Sequence, residues 1–117
     1  MDLSLVGMRA LVCGASQGIG RATAIELAAN GASVTLLARN AEALDDVRRS
    51  LDVRHGQTHH TIAVDLTDTP ALRTSVQNAV DSYGAINILV NNTAGPAGGP
   101  LVDSDVERLL QAFEGHI

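Results

Sequence analysis

Lysine is missing from this 117-residue sequence, and all eight basic side chains are arginine. Tryptophan is missing too, and Tyr83 and Phe113 are the only two members of the large aromatic set. A core without large rings has to be built from Ala, Val, Leu and Ile, small enough for helices to lie close on a parallel sheet. The lone Cys13 excludes an internal disulfide, and a cytoplasmic setting is expected. No apolar run approaches the ~18 residues that a membrane-spanning helix requires, so no membrane partner is expected. Met1-Asp2-Leu3-Ser4 has neither the basic region nor the apolar stretch of a secretory leader. A basic surface is lacking as well: thirteen acidic residues leave a net charge of −5. Neutralising a phosphate backbone needs the opposite balance, so nucleic acid is excluded as a general partner. At 45% hydrophobic and 18% charged residues, the composition excludes a disordered chain. One small domain is expected, spanning residues 1–117.

What is there alternates between strand-like and helix-like patterns, the signature of βαβ units. Met8–Cys13 reads as a first strand, apolar enough to be buried on both faces. A glycine-rich turn follows, then a helix from Gly18 to Asn30, stopped by Asn30-Gly31. Ser33–Ala38 reads as a second strand. Asn40 caps a second helix, lined by Leu44, Val47 and Leu51 and ending near His55-Gly56. Thr61–Asp65 reads as a third strand. Thr69-Pro70 starts a third helix, with Pro at its favoured first position. Leu72, Val76, Ala79, Val80 and Tyr83 fall at helical spacing, which makes Tyr83 a core residue, and Gly84 ends the run. Ile86–Val90 reads as a fourth buried strand. Thr93–Pro100 holds three Gly and two Pro and reads as a loop. Ser104 and Glu107 form a capping box for a last helix, with Val106, Leu110, Phe113 and Ile117 on one face. An apolar residue on a buried face is an unusual terminus, so the domain is expected to be truncated at its C-terminal end.

The motif that carries chemistry is Gly14-Ala15-Ser16-Gln17-Gly18-Ile19-Gly20. Its setting, directly after a buried strand and opening a helix, matters more than its glycines. Free N–H groups and the helix dipole bind phosphate there. Glycine lets the backbone approach a diphosphate without a Cβ in the way, and Gly20 lets the helix lie close on the sheet. The plainer alternative is a simple tight turn. At the end of the second strand, about twenty residues after the glycines, an acidic residue would bond the ribose of NAD. The sequence there is Leu37-Ala38-Arg39-Asn40, and Arg39 is suited instead to the extra phosphate of NADP. An exposed loop arginine is the alternative, and Gln17 adds no second cation. Asp65 and Asn91 end the third and fourth strands, where open parallel sheets bind ligands, although both residue types also cap loops. His55, His59 and His60 lack a cysteine or carboxylate at ligand spacing, so no metal site is expected. Asp45-Asp46 with Arg48-Arg49 reads as a solvated helix face.

These motifs together resemble the N-terminal half of the short-chain dehydrogenase/reductase family. The Gly14-x-x-x-Gly18-x-Gly20 spacing is that family's own, with Cys13 where it usually has Thr. Asp65-Leu66 matches its adenine-contacting pair. Asn91-Asn92-Thr93-Ala94-Gly95 resembles its Asn-Asn-Ala-Gly, with Thr93 extra or replaced. Within the family the chain is most similar to the 3-oxoacyl-(acyl-carrier-protein) reductase group. The resemblance implies an α/β fold, a Rossmann-type doubly wound parallel sheet of order 3-2-1-4 in this portion. It implies hydride transfer between NADP, or less readily NAD, and a carbonyl or alcohol. The implied cofactor contacts are Gly14, Ser16, Gln17, Gly18, Ile19, Gly20, Arg39, Asp65, Leu66, Asn91 and Gly95.

The family's acid–base centre is a Tyr-x-x-x-Lys pair with a Ser and often an Asn. No lysine exists here to complete it, so no catalytic residue is assigned. The Asn position falls by spacing on His116, which weakens transfer of that role. The expected function is the cofactor-binding half of an NADP-dependent oxidoreductase. Its small-molecule substrate would be held by the missing half, and the full-length enzyme would be a homo-oligomer. A non-catalytic dinucleotide-binding module and a truncated product without function stand as alternatives.

Overall fold

The computed structural model describes residues 4–92. They form β1 (Arg9–Cys13), α1 (Gly18–Ala29), β2 (Ser33–Ala38), α2 (Ala41–Ser50), β3 (His60–Ala63), α3 (Thr69–Tyr83) and β4 (Ile88–Asn91). The four strands make one sheet in the order β3-β2-β1-β4, and every pairing is parallel. This is the doubly wound arrangement expected from the alternating pattern. The expected loop at Thr93–Pro100, the capped last helix and its apolar face to Ile117 lie outside the described residues.

Side chains alternate across a strand, and the sequence uses that alternation to build two cores. Val12, Val34, Leu36 and Ala38 point to one face, where Ala24 and Ala28 of α1 and Leu44 and Val47 of α2 pack on them. Leu11, Cys13 and Leu37 point to the other, against Leu72 and Val76 of α3. Leu11, Leu36, Leu37, Leu44 and Leu72 are all nearly inaccessible. Each such side chain contributes roughly 1.5–3 kcal/mol by leaving water. The small residues Gly20, Ala24 and Ala28 form the buried face of α1. They set that helix close to β1.

Two buried polar side chains tie the segment before β3 to the rest. Gln57 donates from Nε2 to the carbonyl oxygens of Ala28 (2.8 Å) and Ala32 (3.3 Å), covering the end of α1. Its Oε1 accepts from the amide of His55 at 2.9 Å. His59 accepts from the Val34 amide at Nδ1 (3.0 Å), and its Nε2 lies 2.7 Å from the carbonyl oxygen of Asp52. A carbonyl oxygen only accepts, so the proton sits on Nε2 and Nδ1 is bare. The ring thereby takes a β2 amide ahead of the β2–β3 ladder. His59 is a structural bridge. Among the described residues no group of three or more His, Cys, Asp or Glu side chains could hold a metal ion. Nor is any described helix long and apolar enough to cross a membrane.

Several expected boundaries shift. α2 ends at Ser50, not near His55-Gly56, because Leu51 is already extended (ψ 143°). β3 starts one residue earlier than expected and stops at Ala63. β4 runs Ile88–Asn91 and is half-buried throughout. It is the edge of the sheet among the described residues, and an edge strand has one flank uncovered. Tyr83 corrects the core reading: it is 44% exposed. It is the last residue of α3, past the reach of the apolar cluster, and its ring stacks on His60 with centroids 3.5 Å apart and planes 6° from parallel.

His60 carries a pH dependence. Burial, followed by the charges of His59 and Arg48, pushes the His60 imidazole below its ordinary 6.5. The unfolded chain therefore binds a proton at His60 before the folded chain does. Stability from this group is complete above pH 6.5 and is lost as the pH falls from there through the folded value. Thermal melts of wild type against His60→Gln across this window check it. The expected result is a shallower decline of Tm on acidification in the variant, and parallel profiles contradict the argument.

Candidate functional site

At the carboxyl end of β1 the chain makes a tight turn. The amides of Gly14 and Ala15 both donate to the Leu37 carbonyl oxygen, at 2.8 and 3.3 Å, pinning the turn to β2. Gly14 (φ 70°) and Gly18 (φ 62°) occupy the left-handed region, which side chains penalise. Gly20 solves a different problem. A Cβ there would run into the carbonyl group of Gly14, and would lie 3.0 Å from the side-chain Nδ2 of Asn92. The start of α1 is thus pressed onto the turn by the absence of one methyl.

The helix that begins here is left open. Gln17 at its N-cap makes no side-chain capping bond, and no acidic residue stands in its first turn. The other two helices among the described residues are closed: Asn40 accepts from the Ala43 amide at the start of α2, and Asp68 from the Ala71 amide at the start of α3. First-turn amides have no partner inside a helix, and they carry the positive end of its dipole. At α1 these amides are available to an anion.

In front of them lies a cleft of about 490 Å³ lined by Gly14, Ser16, Gln17, Gly18, Ile19, Ala38, Arg39, Asn40, Leu66 and Asn92. Seven of these are among the expected contacts: Gly14, Ser16, Gln17, Gly18, Ile19, Arg39 and Leu66. Gly20 stands behind them as the close-packing residue. Asp65 is not in the cleft wall. Its carboxylate accepts from the Thr67 amide (2.9 Å) and hydroxyl (2.7 Å), which folds the chain after β3. The Thr67 hydroxyl, then its amide, and less strongly the charge of Arg39 hold the Asp65 carboxyl below its ordinary value. Asn91 ends β4 opposite Cys13. Its neighbour Asn92 faces the cleft instead, its amide anchored to the Cys13 carbonyl oxygen at 3.1 Å. Gly95 and His116 lie outside the described residues.

Sequence reasoning missed Ala38, Asn40 and Asn92 as wall residues. The signal for Asn92 was present in the Asn91-Asn92 pair: consecutive residues of an extended chain point to opposite sides, so only one could face the cleft. Arg39 follows β2 with its side chain 79% exposed, and its nearest carboxylate oxygen is Asp65 Oδ2 at 3.9 Å. An ion pair this long and this wet is worth little, which leaves the guanidinium available to a stronger anion.

The site can bind more readily than it can react. It offers orphan amides for a diphosphate, apolar walls at Ile19, Ala38 and Leu66 for a flat ring, and one guanidinium at the rim. Among its described wall residues there is no Tyr, Lys, His or carboxylate to move a proton. The fit to a dinucleotide is therefore good, and the chemistry would be the cofactor's own.

Comparison with known proteins agrees with this geometry. The family model described as short chain dehydrogenase matches residues 8–114. L-xylulose reductase of Mus musculus is 43% identical over 113 residues, covering 97% of this chain and 43% of the relative. The chain thus spans less than half the length of the curated relatives it matches. Among solved structures, L-sorbose reductase from Gluconobacter frateurii complexed with NADPH and L-sorbose superposes with a TM-score of 0.79 at 27% identity, covering 98% of this chain and 49% of that one. An NAD⁺-bound xylitol dehydrogenase superposes with a TM-score of 0.82 at 26% identity, covering 92% and 48%. Sheet order, glycine turn and family match converge, and the chain belongs to the short-chain dehydrogenase/reductase family.

Proposed function

We propose that this chain is the cofactor-binding part of an NADP-dependent oxidoreductase that interconverts a carbonyl and an alcohol on a small polyhydroxylated substrate. The observation that carries the cofactor reading is the uncapped start of α1 facing the same cleft as Arg39. When bound, NADP supplies or accepts the hydride. The amides at Gly18 and Ile19 bind its diphosphate, with Ser16 and Gln17 beside them. Arg39 holds the 2′-phosphate by charge-assisted hydrogen bonds. Leu66 would lie against the adenine, on the bend after β3 that Asp65 shapes through Thr67. From its place at the end of β4, Asn91 would meet the adenine side of the cofactor, and the family resemblance adds Gly95 as a contact.

The substrate class follows the relatives, whose names place them on xylulose, sorbose and xylitol. The sorbose reductase is an NADPH complex and the xylitol dehydrogenase an NAD⁺ complex. The choice for this chain therefore rests on Arg39. A proton donor, the substrate pocket and a homo-oligomeric interface belong to a longer protein, and by itself this chain binds without turnover. A cytoplasmic location suits both cofactors.

Titrating the purified chain into NADPH and into NADH, with nicotinamide fluorescence as the signal, tests the reading. NADPH is expected to bind more tightly by about tenfold or more, equivalent to ~1.4 kcal/mol. Equal affinities overturn the NADP assignment, and no binding of either overturns the cofactor reading itself.

A further inference from the structure

The amino ends of the strands present a second cavity, of about 400 Å³, at the opposite end of the sheet from the glycine turn. Its wall follows from the alternation that builds the α3-facing core. Three rows of side chains run down that face: Cys13, Leu11 and Arg9 on β1, Leu37, Thr35 and Ser33 on β2, and Ile62 and His60 on β3. The upper members pack under α3. At the base all three rows turn polar together, and the strand register sets Arg9 beside Ser33 and Thr35 beside His60. Tyr83, at the end of α3, closes the side by stacking on His60.

Arg9 is held in place there. Its backbone amide donates to Asn87 Oδ1 at 2.8 Å and its Nε to the Ala85 carbonyl oxygen at 3.2 Å. The guanidinium lies over Gly84, where any side chain would displace it. These bonds leave its terminal amino groups to spare, and among the described residues Arg9 has no carboxylate partner. Ser33 Oγ accepts from the Thr58 amide at 3.3 Å, so its own hydrogen remains to be donated. No carboxylate stands among the described wall residues, although the chain as a whole is acidic. Every charged or hydroxylic group at this base can donate, and none repels a negative ligand.

We propose that this cavity binds a small oxyanion, the carboxylate or phosphate group of a metabolite, with Arg9 as its principal anchor and Ser33, Thr35 and His60 as supporting donors. Arg9 offers the forked donor geometry that suits either group. The volume is sufficient for a small metabolite.

Tyr83 is the only tyrosine, and tryptophan is absent, so tyrosine emission of the chain reports this site alone. The experiment titrates the chain with inorganic phosphate, and in a second arm with acetate, against sodium chloride at matched ionic strength. A saturable change with phosphate or acetate that chloride does not produce is expected, and the tighter arm identifies the group. Arg9→Gln should weaken the midpoint by tenfold or more. Thr35→Asp, which supplies an internal carboxylate beside His60, should abolish the response and serves should Arg9→Gln fail to fold. A response no different from chloride, or a midpoint unchanged in a folded variant, overturns the proposal.

Discussion

Replacing Gly20 by valine is expected to lower the stability of the chain by about 3 kcal/mol and to abolish dinucleotide binding. The cost comes from overpacking, which is typically ~1–3 kcal/mol where neighbours can move. Here they cannot move cheaply. The first atom that a Cβ meets is the Gly14 carbonyl oxygen, a backbone group, and the next is that same carbonyl's carbon at 2.9 Å. Gly14 is itself fixed, because its amide is bonded to the Leu37 carbonyl oxygen at 2.8 Å. Relief has to come from lifting α1 away from the turn, which breaks its contact with β1 and turns the first-turn amides off the cleft. Denaturant unfolding followed by circular dichroism measures the stability, and NADPH titration measures the binding. Gly18→Ala is the informative control. Nothing lies within 4 Å of a Cβ at Gly18, so only the positive φ of 62° is opposed, at a cost of ~1–2 kcal/mol. Equal losses at both positions would show that the close contact at Gly20 is not what holds the helix down.

Arg39→Ala is expected to weaken NADPH binding about thirtyfold, the equivalent of ~2 kcal/mol for charge-assisted hydrogen bonds to one phosphate, while leaving NADH binding unchanged. The selectivity is the essential part, since NADH lacks the group that Arg39 would hold. Stability should be unaltered within ~0.5 kcal/mol, because the Asp65 pair is long and solvated. Parallel titrations with both nucleotides, plus a thermal melt, provide the readouts. A variant that loses both nucleotides equally would place Arg39 at the diphosphate or the ring, and one that loses neither would return it to the exposed loop arginine of the plainer reading.

Much of this architecture was legible in the sequence because it is built from alternation. Ser33 to Ala38 reads as a strand, and it is one. Asn40 and the Thr69-Pro70 start fix two helices by local chemistry that needs no tertiary context. The glycine turn was legible for a related reason: backbone conformation and close approach both demand glycine, and glycine is visible. What was not legible depends on where elements stop relative to one another. Tyr83 keeps the helical spacing of Val76 and Val80, yet α3 outruns the core, so spacing predicts burial where the neighbours have ended. His59 and Gln57 look like loop residues because their hydrogen bonds reach back 25 residues or more, to Val34 and to Ala28 and Ala32. No local pattern announces that an imidazole replaces a ladder carbonyl. Asp65 was read for its position at a strand end, and its bonds to Thr67 show how one carboxylate can shape a bend and still sit beside a ligand cleft.

The unclosed beginning of α1 has a cost in the resting molecule. A serine or aspartate in place of Gln17 could satisfy one of those donors internally, as Asn40 and Asp68 do for their own helices. Such a residue would make the empty chain sturdier and its guest less welcome. A fold that recruits its visitor as the missing cap accepts a weaker solitary state, and its full rigidity is reached only in company.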